Sequence, residues 1–581
     1  MDNMKKGLGK RMLSMLLATS MVAGTTVAAT GCKFGSNSNE PITLTVYSQV
    51  ANSSGLQKGW AADLIKDKFN VKLNIVPDES GTFQTRMSDK DLGDIIIWGH
   101  TDDNYAAALK AGLLYDLEED DILKENAPYV YDNMQDALAK NKRLSATILG
   151  DGNDKLYGWG GEVATSSKDH QSFFYTWDTR WDLYKKMGYP KVKNMSDMAD
   201  LLKKMQKMDP KDDAGGKTYA VSLWPDWDDA MVMYVKATAT AYYGYDELGI
   251  GLYDPTTGKY HDALEENGPY LEMLKWYNQL YRNGLVDPDS MTQTYEQMSE
   301  KVINGGVLFS IFNYSGSLAF NTDKHMKKGE YMYCMKPSEA SPIVYGMSTL
   351  GTGYVTSIGA NCEYPELALE VLNYFCTPTG RLEYAYGPKD ECWYYGDDKK
   401  THLTELGEAC RKDLKTKMTD HEGTFQDGQL QMAVSTWNID AENPETDGET
   451  YNADNWASTQ ESSKYDIQED WKKKTGCEGI NDYMEKGKYT VSPGTDYSAS
   501  AKSDELKTVW KQVTDTIKNE SWNALYAKND AQFDKAVAKM KKDTAGYGYD
   551  KCLKWSQKEA ATRKSLEDRK STRLNSSHYN I

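Results

Sequence analysis

The amino-acid sequence predicts an α/β fold with a parallel sheet, and three kinds of segment near the start of the body support this prediction. Residues 42–46 (ITLTV) alternate apolar and polar side chains, which is typical of a strand with one buried face. Apolar residues then recur at helical spacing over 56–69, and residues 71–75 alternate again. Residues 95–98 (IIIW) form a continuous apolar run, which is typical of a strand buried on both faces. Strands that alternate with helices predict a parallel sheet.

The ends of these predicted strands supply the first candidate ligand-binding residues. In open parallel sheets, ligands bind beyond the carboxyl ends of the strands. Tyr47 and Gln49 follow the first strand, whereas Trp98 ends the apolar run and His100 lies two residues beyond it. We therefore expect these four side chains to lie at one edge of the sheet, next to a ligand.

Later segments continue the mixture of helices and strands. Residues 196–208 show an amphipathic helical pattern, with Ser196 as the expected N-cap. Residues 254–259 (DPTTGK) predict a turn between short strands, and residues 307–312 (VLFSIF) predict another buried strand. Helical periodicity returns over 504–564. The body therefore reads as α/β along most of its length.

The net charge excludes one large class of partner. The formal charge of the whole chain is −18. Residues 1–31 carry four basic residues and one acidic residue and so contribute +3, which leaves −21 on the rest. Nucleic-acid binding requires a basic surface, so we expect no nucleic-acid partner. The 40 tyrosines and 15 tryptophans outnumber the 11 phenylalanines, and aromatic rings with a polar group suit a ligand that is partly polar and partly apolar.

Residues 1–31 predict a secretory signal peptide. A basic head ends at Arg11, a mildly apolar stretch covers 12–27, and small residues then lead to Cys32. The alternative is a membrane-spanning helix. Serine and threonine interrupt the apolar stretch, and it falls short of the roughly 20 apolar residues that a span needs, so the signal peptide is favoured.

Cys32 adds a second feature to this leader. Small residues directly before a cysteine resemble the lipobox of bacterial lipoproteins, although Ala29 stands where that motif usually has a large aliphatic residue. The resemblance implies that Cys32 becomes the first residue and carries a lipid. Residues 32–40 would then be a flexible tether that holds the protein at the extracellular face of the cytoplasmic membrane. If Ala29 prevents lipidation, the protein would be freely secreted.

Six short segments, taken in order, resemble one protein family. They are 91–96 (DLGDII), 111–117 (AGLLYDL), 154–159 (DKLYGW), 180–190 (RWDLYKKMGYP), 283–288 (NGLVDP) and 366–374 (ELALEVLNY). Each segment is weak alone. Their order along the body resembles the family 1 extracellular solute-binding proteins of carbohydrate ABC transporters, the LplA-like lipoproteins.

This resemblance implies a fold and a set of partners. The implied fold is periplasmic-binding-protein-like, with two α/β lobes, a hinge and a ligand cleft between the lobes. Within a body of 41–567, lobe 1 would take about 41–165 plus a later return segment. Lobe 2 would take about 166–340 plus the C-terminal helices. The resemblance also implies a monomer that binds an oligosaccharide and delivers it to the permease subunits of an ABC transporter.

The strongest local motif is the segment 224–229 (WPDWDD). The indole rings of Trp224 and Trp227 can cover the C–H face of a pyranose, and Asp226 and Asp228 can accept hydrogen bonds from its hydroxyl groups. One alternative is that the tryptophans pack in the core and the aspartates cap helices. Another is acid–base catalysis by the two carboxylates, as in glycosidases. Carboxylates so close in sequence are poorly placed to flank opposite sides of a bond, which disfavours catalysis.

Six more aromatic residues are candidate ligand contacts, because they lie at predicted strand ends or in irregular sequence, where loops carry function. They are Trp159, Trp177, Tyr314, Trp393, Tyr394 and Trp437. Core packing is an equal alternative for Trp98, Trp159 and Trp177.

Enzyme motifs do not support a catalytic role. HExxH and GxSxG are absent, and residues 216–218 (GKT) lack the glycine that a phosphate-binding loop needs five places earlier. The sequence therefore predicts a binding protein without a cofactor, with any ATPase on a separate subunit. The alternatives are a secreted glycoside hydrolase and a peptide-binding or adhesion lipoprotein.

Two segments are predicted to carry no function. Residues 209–217 (DPKDDAGGK) are similar to loops that hold calcium in the relatives, but Lys211 and Lys217 stand where acidic ligands belong and would repel the cation. We expect a solvated turn without a metal. Residues 568–578 (DRKSTRLNSSH) resemble the translation of a sequencing adapter, so 568–581 are left out of the functional interpretation.

Overall fold

The structure is a computed structural model that describes residues 40–578, except 80, 102, 151, 167–169, 462–464, 496, 498 and 501. The predicted signal peptide, the lipidation site Cys32 and most of the tether lie outside the described residues. So do the last three residues of the excluded tail.

The strands of the described residues form five sheets. They are β1 (Ile42–Ser48), β2 (Gly55–Leu56), β3 (Val71–Pro77), β4 (Ile95–Trp98), β5 (Trp159–Gly161), β6 (Tyr175–Arg180), β7 (Asp246–Leu248), β8 (Gly251–Tyr253), β9 (Tyr260–Asp262), β10 (Phe309–Phe312), β11 (Met332–Cys334), β12 (Ile343–Tyr345), β13 (Thr352–Ile358), β14 (Trp393–Tyr395), β15 (Thr401–Leu403) and β16 (Thr490–Ser492).

The helices surround these sheets. They are α1 (Gly59–Phe69), α2 (Thr82–Asp89), α3 (Asp103–Lys110), α4 (Ile122–Asn126), α5 (Pro128–Asn133), α6 (Gln135–Leu149), α7 (Trp181–Lys186), α8 (Met195–Met208), α9 (Met233–Tyr243), α10 (Pro269–Arg282), α11 (Tyr295–Ile303), α12 (Ser317–Phe320), α13 (Asp323–Lys327), α14 (Pro365–Cys376), α15 (Pro378–Tyr386), α16 (Glu405–Lys412), α17 (Phe425–Gly428), α18 (Ala457–Glu461), α19 (Asp466–Thr475), α20 (Ile480–Glu485), α21 (Asp504–Leu525), α22 (Asp530–Tyr547) and α23 (Tyr549–His578). Short 3-10 helices cover Glu119–Asp121, Pro288–Met291 and Ala453–Asn455.

The largest sheet has the strand order β2-β3-β1-β4-β13-β5. β1 pairs in parallel with β3 and β4, whereas β13 pairs antiparallel with β4 and β5. All four residues of β4 are buried: Ile95 and Ile97 pack into one hydrophobic cluster, and Ile96 and Trp98 pack into another. The α/β class and the parallel centre of the sheet are thus confirmed, and cover on both faces explains the continuous apolar run of β4.

Two large hydrophobic cores define two lobes. The core of lobe 1 takes residues from 44–163 and again from 358–456. The core of lobe 2 takes residues from 173–344 and again from 467–552, around the three-stranded sheet β10-β6-β11. The chain therefore passes between the lobes three times, a connection that suits a hinge.

A histidine ties the return segment of lobe 1 to its first helix. His421 Nδ1 lies 2.8 Å from Asp63 Oδ2 of α1, and His421 Nε2 lies 3.0 Å from Glu391 Oε2. Burial lowers the pKa of His421, but hydrogen bonds and charge from these two carboxylates outweigh it and raise the pKa above its ordinary value. The protonated ring therefore stabilises the packing of α1 against the return segment.

Two local predictions have different outcomes. The turn at 254–259 is confirmed, since it joins β8 to β9. The N-cap at Ser196 is wrong. α8 begins at Met195, and Asn194 Oδ1 accepts from the backbone amides of Ser196 at 3.1 Å and Asp197 at 3.2 Å. Asparagine and serine are about equally good N-caps, so the sequence alone does not fix the first residue of the helix.

The C-terminal helix packs on lobe 2 as far as Glu567. The carboxylate of Glu567 is buried and accepts hydrogen bonds from Tyr253 Oη at 2.7 Å and Arg563 Nε at 3.2 Å. Asp568 is exposed. In the part of the chain that the structure describes, no helix is both long and apolar enough to cross a bilayer.

Candidate ligand-binding site

The carboxyl edge of the main sheet faces lobe 2. β4 and β5 both run antiparallel to β13, so β1, β4 and β5 all end at one edge. The chain leaves this edge after β5 to enter lobe 2 and returns to it at the start of β13. Gln49 and His100 follow β1 and β4 and thus lie on the side of lobe 1 that faces lobe 2. Gln49 Oε1 accepts from the Gly99 amide at 2.9 Å, and His100 is exposed.

The two lobes also touch across this space. Lys507 Nζ, near the start of α21 in lobe 2, lies 3.2 Å from Asp103 Oδ2 at the start of α3 in lobe 1. Both side chains are exposed. Exposed ion pairs contribute about 0–1 kcal/mol, so this contact restricts opening of the lobes only weakly.

Four aromatic side chains form a continuous surface on lobe 2, here called the aromatic wall: Phe174, Tyr314, Trp227 and Tyr295. The Trp227 ring stacks on Tyr295 at a centroid distance of 4.7 Å and lies 5.9 Å from Tyr314. Tyr314 in turn lies 6.2 Å from Phe174. Trp227 and Phe174 are each 48% exposed. Burial raises the pKa of Tyr314 far above its ordinary value, so its hydroxyl is a neutral hydrogen-bonding group.

Trp224 supports the wall from beneath. It is 1% exposed, and its ring meets Trp227, Tyr295 and Tyr234 edge-on, each at a centroid distance of 5.2 Å. The strand-like segment before it is tied to the lobe by bridges from Tyr219 and Val221. The motif at 224–229 therefore presents one tryptophan to solvent and buries the other.

The two aspartates of the motif accept hydrogen bonds from backbone amides at the starts of two helices. Asp226 Oδ2 accepts from the Tyr295 amide at 3.0 Å, and Asp228 Oδ1 accepts from the Met233 amide at 2.7 Å. The other Asp228 oxygen accepts from Trp522 Nε1 at 2.8 Å. Burial raises the pKa of Asp228 to about 6. The Asp226 contact positions Tyr295 in the wall, and the contacts of Asp228 favour a capping role for that residue.

Asp440 is the centre of the hinge. Its carboxylate accepts from the Ser172 amide at 2.8 Å and from the Ser172 hydroxyl at 2.7 Å. Asn452 Nδ2 donates to it at 2.9 Å and Asn455 Nδ2 at 3.3 Å. Ser172 lies on the first crossing and two residues before Phe174, so the aromatic wall begins where the lobes join.

Glu162 lies on the lobe 1 side of the same hinge. It directly follows β5, and Asn438 Nδ2 donates to its Oε2 at 2.9 Å. The residue is exposed, yet surrounding protein raises the pKa of its carboxyl; Arg381 lowers this pKa in part, and Asp440 raises it further.

Five of the sequence-predicted contacts lie in hydrophobic cores: Trp98, Trp159, Trp177, Trp393 and Trp437. Four of their indole N–H groups donate to acceptors within the protein: Trp98 to Ser357 Oγ (3.1 Å), Trp159 to the Ser435 carbonyl (3.1 Å), Trp393 to the Gly387 carbonyl (2.9 Å) and Trp437 to the Cys376 carbonyl (2.7 Å). This placement favours packing over ligand contact.

Two further candidates lie apart from the wall. Tyr47 is buried against Trp98, with a centroid distance of 6.5 Å, and burial raises the pKa of its hydroxyl above its ordinary range. Tyr394 is 41% exposed, on the β14–β15 hairpin of lobe 1, where it stacks on His402 at 5.3 Å. The structure thus brings together Trp224, Asp226, Trp227, Asp228 and Tyr314, but not the other predicted residues.

The loop at 209–217 is held by ion pairs between Asp213 and lysine side chains of the same protein. The carboxylate of Asp213 lies 2.6 Å from Lys328 Nζ, 2.7 Å from Lys324 Nζ and 3.1 Å from His325 Nε2. Hydrogen bonds from these groups, that of Lys324 first, hold the pKa of Asp213 far below its ordinary range. His325 Nδ1 lies 2.9 Å from the Phe320 carbonyl, so each ring nitrogen already lies beside an oxygen of the chain.

This geometry does not fit a calcium site. Asp213, His325 and Glu330 come close enough to share a metal ion, but both Asp213 oxygens already face cationic nitrogens. A calcium ion needs six to eight oxygen ligands and would meet the ammonium groups of Lys324 and Lys328 at this position. The expectation of a solvated turn needs correction in one respect, because the loop is held by internal ion pairs.

Sequence reasoning missed three residues of this site: Glu162, Phe174 and Tyr295. Phe174 and Tyr295 carry no motif, and they join the wall only through tertiary packing. Glu162 had one available signal, since it directly follows the Trp159 strand at the predicted lobe boundary.

Comparison with known proteins gives the fold. No family model and no curated protein matches this chain. Among solved structures, it resembles the alginate-binding protein AlgQ2, with 14% identity, a TM-score of 0.55, and 90% of this chain and 99% of that chain covered. It also resembles an extracellular solute-binding protein from Bifidobacterium longum subsp. infantis (13% identity, TM-score 0.56, 90% and 99% covered).

A third similar structure is the Streptococcus pneumoniae ABC-transporter substrate-binding protein FusA in complex with kestose. It is 16% identical, with a TM-score of 0.55, and the match covers 90% of this chain and 99% of that chain. At such identities the likeness shows the fold alone. The predicted two-lobed solute-binding fold is thereby confirmed.

Proposed function

We propose that this protein is an extracellular solute-binding receptor of an ABC importer, anchored by a lipid on Cys32, that captures an oligosaccharide and delivers it to a permease. The observation that carries the proposal is the aromatic wall, which begins at the hinge of a two-lobed solute-binding fold. Proteins with a similar fold are named for alginate binding or are seen with kestose.

The chemistry of the wall suits a sugar. A pyranose has an apolar C–H face that covers an indole or phenol ring, and hydroxyl groups around its rim that need polar partners. The half-exposed rings of Trp227 and Phe174 supply open faces, and the neutral Tyr314 hydroxyl supplies a donor and an acceptor. Among the predicted contacts, Trp227 and Tyr314 are therefore the ones we propose to touch the ligand.

The hinge supplies the capture mechanism. A ligand that touches both lobes shifts the equilibrium toward the closed arrangement. The size of this shift equals the difference between its binding free energies for the closed and the open arrangement. Three crossings and the hydrogen bonds of Asp440 keep the lobes joined while they move, and the exposed ion pair between Lys507 and Asp103 opposes opening only weakly. We propose that the receptor acts as a monomer and presents its closed form to the permease.

Calorimetry of the purified mature protein against neutral oligosaccharides, acidic oligosaccharides and peptides tests this function. We expect at least one oligosaccharide to bind and to raise the melting temperature, and the recovered glycan to be unchanged. New reducing ends in the recovered glycan would show a glycoside hydrolase instead. Binding of peptides with no response to any glycan would show a peptide receptor.

A further inference from the structure

The side chain of Glu162 is held at one oxygen only. Asn438 fixes Oε2, and in the part of the chain that the structure describes Oε1 has no hydrogen-bond partner. Asp440 differs in this respect. It is 8% exposed, and both of its oxygens accept from hinge residues. Of these two neighbouring carboxylates, Asp440 serves the hinge, whereas Glu162 has an oriented and unused acceptor.

The backbone of Glu162 points to the same conclusion. Its φ is +54°, in the left-handed region that favours glycine. A residue with a side chain costs free energy at such a position, and such strain concentrates at functional sites. Glycine would relieve the strain but would remove the carboxylate. Retention of a glutamate here is therefore explained by a role for its side chain.

The surroundings of Glu162 place it at the floor of the interlobe cleft. It follows β5 at the sheet edge that faces lobe 2, and the next residue, Val163, bonds through its backbone to the return segment at Thr436 and Asn438. Asp440 of that segment binds Ser172, two residues before Phe174. Glu162 and the aromatic wall are therefore connected through the hinge, Glu162 on the side of lobe 1 and the wall on the side of lobe 2.

We infer that Glu162 accepts a hydrogen bond from a ligand hydroxyl at the floor of the cleft, and that the ligand is an uncharged oligosaccharide. This inference rests on the proposed function and deepens it. A charged acceptor strengthens a hydrogen bond from a neutral hydroxyl.

The charges around the floor exclude an anionic sugar. Glu162 and Asp440 are both acidic, and Asp226, which bonds to the backbone of Tyr295, is exposed. The guanidinium of Arg381, which interacts with Glu162, is 5% exposed and donates through Nε to the Trp437 carbonyl at 2.9 Å. A uronate at the floor would meet these like charges, and that repulsion is strong in a partly desolvated cleft.

The test begins with the wild-type mature protein. Calorimetry compares neutral manno-, xylo-, cello- and fructo-oligosaccharides with oligogalacturonate and alginate oligosaccharides. We expect binding only among the neutral glycans. Tighter binding of an acidic glycan overturns the ligand class proposed here and leaves the receptor function standing. Binding of no glycan overturns the receptor function itself.

Glu162→Gln and Glu162→Gly then test the residue with the neutral glycan that binds. We expect both variants to weaken binding about tenfold or more, since hydrogen bonds to charged groups are the stronger ones. Glu162→Gly should keep or raise the melting temperature, because glycine relieves the strained backbone. A merely structural role would lower the melting temperature without changing the Kd of the folded protein.

Asp67→Asn is the matched control. Asp67 is an exposed carboxylate near the end of α1, which leads into the start of β3 at the edge of the sheet away from lobe 2. We expect this variant to bind as wild type does. Equal Kd values for Asp67→Asn, Glu162→Gln and Glu162→Gly would overturn the assignment of Glu162 while the receptor function stands.

Discussion

Replacement of Trp227 by alanine separates a ligand platform from a packing role. The neighbouring Trp224 is the natural comparison, since the two rings lie three residues apart but differ in exposure, 48% against 1%. If the aromatic wall binds sugar, Trp227→Ala should weaken binding and leave the fold nearly intact. Trp224→Ala should unfold the protein more easily.

The magnitudes follow from these exposures. A tryptophan side chain presents about 200 Å², so about 100 Å² of Trp227 is open to a ligand. At about 25 cal/mol per Å², complete coverage would contribute about 2.5 kcal/mol, or about 70-fold in Kd. A sugar covers part of this area, so we expect a loss of roughly 10- to 70-fold in affinity for Trp227→Ala.

The stability changes should run in the opposite order. Trp227 buries about half of its side chain, about 100 Å², against neighbours that include Tyr295 and Trp224, so its removal should cost about 2.5 kcal/mol of unfolding free energy. Trp224 is enclosed, so its truncation also leaves a cavity and should cost about 3–5 kcal/mol. Trp227→Phe keeps a ring in the stack and should lie near wild type in both measurements.

Calorimetry with a bound oligosaccharide and urea denaturation of the ligand-free protein measure the two quantities. Quenching or a shift of tryptophan emission on sugar addition should be smaller in Trp227→Ala. The reasoning is refuted if Trp227→Ala is as unstable as Trp224→Ala yet binds normally once folded. The wall would then be an exposed part of the core, and the ligand would lie elsewhere.

Three further predictions concern other parts of the chain. EDTA and calcium should leave the melting temperature unchanged, and a loss with EDTA that calcium restores would contradict the internal ion pairs. The double variant Lys324→Met/Lys328→Met should lower the melting temperature by a few degrees, whereas the control Lys327→Met should not. In denaturant melts, the free energy of unfolding of wild type should exceed that of His421→Gln most below about pH 6.5. This difference should shrink as the pH rises through the raised pKa of folded His421, because the neutral ring cannot donate to both carboxylates. A difference that stays constant with pH would contradict the charged bridge. Cys32→Ala should release the protein into the medium or leave its leader uncut, and a membrane-bound variant with a normally cut leader would rule out the lipid anchor.

Local sequence pattern predicted strands whose burial is set by the layers that cover them directly. The apolar run of β4 predicted cover on both faces, and the two hydrophobic clusters on either side of it supply that cover. Alternation predicted the strands β1 and β3, and the helix between them predicted their parallel pairing. The resemblance of short ordered segments then predicted the two-lobed arrangement that the similar structures confirm.

The position of the tryptophans could not be predicted in the same way. Trp159 and Trp437 are buried because their indole N–H groups reach carbonyls of Ser435 and Cys376, in the return segment. Those partners are up to 276 residues away in sequence, so no local window contains the information. The same holds for Trp227, since only tertiary packing against Tyr295 leaves one of its faces open.

The division of the proposed site between the lobes has a mechanical consequence. The aromatic wall belongs to lobe 2, whereas Glu162 belongs to lobe 1, and the Asp440–Ser172 contact joins the two at the hinge. A ligand that touched the wall alone would bind the open and closed arrangements equally and would favour neither of them. A ligand that also donates to Glu162 gains that bond only when the lobes approach. In the proposed receptor, stacking would therefore set how tightly a glycan is first held. The bond to Glu162 would set how strongly the glycan drives closure, and the closed state is the one that a permease could distinguish from the empty receptor.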